Sequence, residues 1–128
     1  MRTHDTTAEF TVTLSPADPV LPGTARFDLA KVWTGGIVGS GRGVMLSAGD
    51  PASGSAGYVA LETVEGTLDG RRGSFALQQL GTMSGGTPLL RYDIVPGSGT
   101  DELAGLSGTV DLEVTEGRHE VRVAYRLP

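Results

Sequence analysis

At 128 residues the chain has the length of one domain, enough to bury about two-thirds of its unfolded surface without covalent staples. It has no Cys, which excludes disulfides, thiolate metal ligands and a cysteine nucleophile, and fits a cytoplasmic protein. A formal net charge of -5, with Arg71-Arg72 the only basic pair that stands out, argues against nucleic acid or an anionic membrane as partner.

The first residues, MRTHDTTAEF, hold no apolar signal-peptide run, and no stretch approaches the ~20 apolar residues that span a bilayer. Residues 1–7 are expected to fray, His4 with them. From Ala8 to Leu14, Ala8, Phe10, Val12 and Leu14 alternate with Glu9, Thr11 and Thr13, the pattern of a half-buried strand. Ser15 to Gly23 contains three prolines and reads as a loop. Thr24 to Thr34 places Phe27, Leu29, Lys31 and Trp33 on one face; a strand fits this spacing and a short helix is the alternative. Gly35 to Gly43 holds five glycines around Ile37-Val38, so it is either a turn or a bulged strand that another backbone approaches closely. Val44 to Leu46 continues it, and Ala48 to Gly57 reads as a polar loop, a candidate lid or rim.

Three further strands, Tyr58–Val64, Ser74–Leu80 and Leu89–Val95, are separated by glycine-rich breaks where reversals need positive φ, and pair as antiparallel neighbours. Thr109–Val114 and His119–Leu127, joined by Thr115 to Arg118, form a C-terminal hairpin with one dry face. The count is about eight strands at spacings of roughly 8–12 residues, the signature of a sandwich or barrel. An open sheet of this kind would leave two unblunted edges, so a closed antiparallel barrel is expected.

The segments GYVALETVEGTLDGRRGSFALQQLGTM, VPGSGTDELAGLSG and HEVRVAYRL resemble a family of small bacterial proteins of unknown function with an allene-oxide-cyclase-like barrel. The likeness runs from about Phe10 to Leu127, and Gly97–Gly108 is also similar, more remotely, to dirigent proteins. It implies a small, often oligomeric barrel that binds an apolar substrate in its lumen and steers a cyclisation or coupling without a bound cofactor. Two positions depart from the family's pattern: Gln79 stands where an imidazole is usual, and Asp101 where a Gly follows GSGT.

Alternation groups Tyr58, Ala60 and Glu62 on one face. If that face is the lumen, Glu62 is a carboxylate in an apolar cavity and a candidate acid or base, as the lumen Glu of the resembled cyclases implies. If it faces water, Glu62 is a surface charge. Gln79 shares a face with Phe75 and Leu77 and could orient a carbonyl, or be a strand-end amide satisfied by backbone. His119 begins the dry face of Val121, Val123 and Tyr125, either as a rim residue or as Glu62's acid–base partner. Tyr58, Tyr92, Tyr125 and Trp33 could line a pocket or be plain core. Lys31 is either a snorkelling surface residue or an inward one paired with Glu62. No HxH or HExxH spacing suggests a metal site. GSGT at Gly97–Thr100 lacks the phosphate-loop pattern and reads as a hairpin turn. The function expected is binding of a small apolar molecule in a barrel that self-associates, with isomerase or cyclase chemistry at Glu62. The alternatives are a non-catalytic carrier and a structural module.

Overall fold

The computed structural model describes residues 2–128. Eight strands follow one another around a closed antiparallel barrel: β1 (Arg2–Ala17), β2 (Ala25–Gly35), β3 (Ile37–Asp50), β4 (Ser55–Leu68), β5 (Arg71–Ser84), β6 (Thr87–Ile94), β7 (Ser107–Thr115) and β8 (Arg118–Leu127). β8 returns to pair with β1. Two-residue turns at Asp69-Gly70, Gly85-Gly86 and Glu116-Gly117 all have positive φ, the geometry whose twist matches that of the strands it joins.

The strands run further than hydrophobic alternation suggests. Residues 2–7, expected to fray, are the first part of β1, each in register with β8 from Arg2↔Leu127 to Thr7↔Arg122. His4 accordingly stacks on the Tyr125 ring, centroids 4.9 Å apart. β8 supplies a backbone ladder there, and the polar side chains on the alternate face find partners of their own, Thr6 Oγ1 donating to Asp69 Oδ1 at 2.8 Å. The Ala48–Gly57 loop is also corrected. β3 and β4 stay paired to Asp50↔Ser55, leaving a tight connection whose 3-10 turn, Pro51–Ser53, is capped by the Asp50 side chain accepting from Ala52 N at 3.0 Å. The stretch read as strand or short helix from Thr24 to Thr34 is strand from Ala25 onward. The glycines of Gly35–Gly43 answer to close approach: Gly39 faces Gly66, and a Cβ on either would strike the other strand's backbone.

Inward residues of all eight strands make one core, including Phe10, Trp33, Ile37, Val64, Phe75, Tyr92, Val123 and Tyr125. The two ends differ. One is stoppered by the connection of residues 95–106, whose Leu103 and Leu106 are buried against the core. This corrects the reading of Gly97–Thr100 as a hairpin turn: β6 is shorter than β5, and the connection fills the gap. Ser98 Oγ accepts from Ala76 N at 2.9 Å and Thr100 Oγ1 from Ser74 N at 3.0 Å, so hydroxyls replace the missing strand along the lower edge of β5. The other end, carrying the connections of residues 18–24, 51–54, 85–86 and 116–117, has no such stopper. Closure between β6 and β7 rests on two register pairs, Asp93↔Thr109 and Ile94↔Gly108.

Candidate functional site

β2 turns Leu29, Lys31 and Trp33 inward, and β4 turns Ala60, Glu62 and Val64 inward. Burying a charge in such a lumen is unfavourable unless it is paired and hydrogen-bonded. Here Lys31 Nζ lies 2.7 Å from Glu62 Oε1, and the two residues are 5% and 3% exposed. Trp33 Nε1 donates to Glu62 Oε2 at 2.9 Å, and Lys31 Nζ donates to the Tyr92 hydroxyl at 3.2 Å. The ammonium also sits 4.0 Å above the centre of the Phe10 ring, a cation–π contact. Two of the ammonium's three donors and both carboxylate oxygens thus have partners.

Burial lowers the Lys31 pKa from its ordinary value, and Glu62 partly opposes that. Burial, with Glu62 and then Tyr58 nearby, pushes the Tyr92 phenol far up, so it stays protonated. Because the Tyr92 oxygen accepts from Lys31, its own O–H remains to be donated.

Above this network, at the unstoppered end, lies a cavity of about 540 Å³ lined mainly by apolar side chains, among them Phe27, Met45, Tyr58, Met83 and Leu90. Tyr58 joins the two regions: it lines the cavity, and it is near enough to Tyr92 to act on its titration. Its ring lies over Gly81, its register partner on β5, where a Cβ would strike the ring edge. Burial raises the Tyr58 pKa.

The sequence-derived candidates separate into three groups. Glu62, Lys31, Trp33 and Tyr92 come together; Glu62 faces the lumen, and Lys31 is its buried partner rather than a snorkelling surface residue. Tyr58 alone lines the cavity. The rest lie elsewhere. Glu62's partners are Lys31 and Trp33, not His119, which stacks on Phe10 at 4.9 Å. Gln79 is half-buried, in register with Ala60 and Tyr92, and stands outside the hydrogen bonds that tie the network. Tyr125 belongs to the stoppered end, where its hydroxyl donates to Asp69 Oδ2 at 2.5 Å. Sequence reasoning missed the cavity's own lining: Met45 and Met83 sit beside glycine-rich stretches that carry no strand signal strong enough to assign a face.

On the outside of the barrel, Val44, Val59, Leu61 and Leu80 form an exposed apolar strip across β3, β4 and β5, joined by the register pairs Val44↔Leu61 and Val59↔Leu80. Among the described residues, no group of three or more His, Asp or Glu side chains is placed to hold a metal ion, and no helix is long and apolar enough to cross a membrane.

Comparison with known proteins gives a consistent answer. Residues 6–125 match a family described as "Protein of unknown function (DUF3224)". The chain is 37% identical to a protein of unknown function from that family in Shewanella oneidensis MR-1, known from a crystal structure; the match covers 99% of this chain and 98% of the other, with a TM-score of 0.91. No curated protein matches. These matches support the family resemblance at the level of the bacterial group of unknown function. With the family profile spanning nearly all of the strands, the chain belongs to the DUF3224 family of proteins of unknown function.

Proposed function

We propose that this protein binds a small, mostly apolar molecule in the mouth of its barrel and retains it without needing a cofactor. The observation that carries the reading is the asymmetry of the two ends. One is stoppered by Leu103 and Leu106, while the other opens on the apolar cavity around Phe27, Met45, Tyr58 and Met83. Concave, largely apolar sites with a few polar groups are the usual form of small-molecule sites.

The test uses a neutral solvatochromic dye, Nile red, with wild type and Ser47→Phe. Ser47 lines the cavity in register with Tyr58, so the larger ring fills it from β3. Saturable blue-shifted emission that Ser47→Phe abolishes, with the fold intact by circular dichroism, is the expected result. Equal binding by the variant would refute the reading.

A second reading, isomerase or cyclase chemistry, is favoured by one observation: Tyr58 is near enough to Tyr92 of the Lys31–Glu62–Tyr92 network to act on its titration, and a protonated phenol backed by an ammonium could polarise a carbonyl. Retention ranks first because Lys31 and Glu62 do not line the cavity. Turnover of a bound molecule that Tyr92→Phe removes without weakening its binding would reverse that order. The outer strip of Val44, Val59, Leu61 and Leu80 supports self-association, testable by sedimentation of wild type against Leu61→Lys.

A further inference from the structure

The chemistry of the cavity wall narrows the ligand class. Among the described residues, no Asp, Glu, Lys, Arg or His lines it. The buried charges below it, Lys31 and Glu62, neutralise one another at 2.7 Å. At the rim, the residue before Pro51 is Asp50, whose carboxylate already accepts from Ala52 N. An anionic head group would therefore be stripped of water with no cation to meet it, and a cationic one would find no free carboxylate inside. The polar groups that do line the cavity are hydroxyls and backbone. Among them Tyr58 has its ring held over Gly81 and lies near enough to Tyr92 to act on its titration. Burial keeps this phenol protonated, hence a donor.

Resting on the binding reading above, we infer that the cavity takes an uncharged lipophile with one hydrogen-bond acceptor, such as an ester or ketone carbonyl, seated against the Tyr58 hydroxyl. Free fatty acids and alkyl amines of the same length are excluded by charge, and plain hydrocarbons bind more weakly because the phenol gains nothing from them. The two methionines, Met45 and Met83, line the walls with flexible thioethers that suit a flexible chain.

The experiment compares four probes of matched chain, methyl laurate, lauric acid, dodecylamine and dodecane, by displacement of Nile red from wild type and Tyr58→Phe at pH 8. Methyl laurate should bind at least about tenfold more tightly than the acid or the amine. Tyr58→Phe should weaken methyl laurate about fivefold, the size of one net hydrogen bond, and leave dodecane unchanged. Lauric acid or dodecylamine competing as well as the ester would overturn the ligand class while leaving the binding site standing. An equal loss for ester and dodecane in Tyr58→Phe would overturn the role of the hydroxyl. Failure of all four probes, together with failure of Nile red itself, would remove the binding reading and this inference with it.

Discussion

Gly41 stands where any side chain would displace the Glu62 carboxylate: a Cβ built on it overlaps Glu62 Oε2 and comes within 2.9 Å of Cδ. β3 pairs with both strands that carry the charge pair. Its Gly41 is in register with Lys31 on β2, and its Gly43 with Glu62 on β4. The glycines of this strand thus make room for an ion pair that reaches across them.

Gly41→Ala should therefore be severe for so small a change. The carboxylate must leave Lys31 or Trp33, and a buried charge without its partner is expensive. The expected loss is about 2–4 kcal/mol, read from the shift in the urea midpoint at unchanged slope. A loss below about half a kcal/mol would mean that the lumen rearranges freely around Glu62.

The pair itself should behave as a unit. Lys31→Met and Glu62→Gln each leave one buried group without its counterpart, and each should destabilise by about 3–5 kcal/mol. The double variant should cost clearly less than the sum, because no isolated charge remains. A double-mutant cycle by chemical denaturation measures this; strict additivity would show that the two residues do not feel each other.

Much of this centre was legible beforehand. The spacing of Phe27, Leu29, Lys31 and Trp33 assigns Lys31 to an apolar face, and that of Tyr58, Ala60 and Glu62 does the same for Glu62; a cation and an anion on dry faces of one barrel invite pairing. Strand extent was less legible, because ladder bonds are indifferent to side chains. Residues 2–7 and 48–57 are polar or small, yet β8 and the β3–β4 hairpin hold them in register. His119 illustrates a different limit. Alternation gave its face, but no local signal shows that Phe10, its register partner on β1, occupies the place an acid–base partner would need.

The titration behaviour of the buried groups has a definite sign. Tyr125 is pushed up to about 12, first by burial and then by its bond to Asp69, against an ordinary 10.0. Tyr58 and Tyr92 are raised too. The folded state therefore keeps phenol protons that the unfolded chain loses at about pH 10, and this stability disappears as pH rises through 12. Lys31 has the opposite sign: its pKa is lowered from 10.5, the unfolded chain binds more protons, and its contribution improves up to pH 10.5. Stability should thus fall steeply above pH 10, less so in Tyr125→Phe. At pH 10.5 the phenolate absorbance of folded protein should be far below that of its three tyrosines unfolded in denaturant. Full ionisation in the folded state at that pH would contradict the assigned environments.

The stoppered end offers a local test. Along residues 71–76 of β5 the backbone is met by a connection instead of a strand: Ser74 N donates to Thr100 Oγ1 at 3.0 Å, Ala76 N to Ser98 Oγ at 2.9 Å, and Arg72 N to Glu102 Oε1 at 3.0 Å. Thr100 N and Val95 N return the bonds to Ser74 O and Ala76 O, both at 2.9 Å. The side-chain acceptors can be removed one at a time without altering the backbone. Thr100→Val keeps the shape and deletes the acceptor, so the Ser74 amide should exchange with solvent at least about tenfold faster, the effect of losing roughly 1.4 kcal/mol of local protection. Ser98→Ala should do the same to the Ala76 amide alone. The amide of Leu77, beyond the connection and paired with Ile94 on β6, should be unaffected in both variants. Amide exchange followed by NMR resolves these positions individually. Uniform acceleration across β5 would show that the connection stabilises the whole barrel rather than sealing one edge.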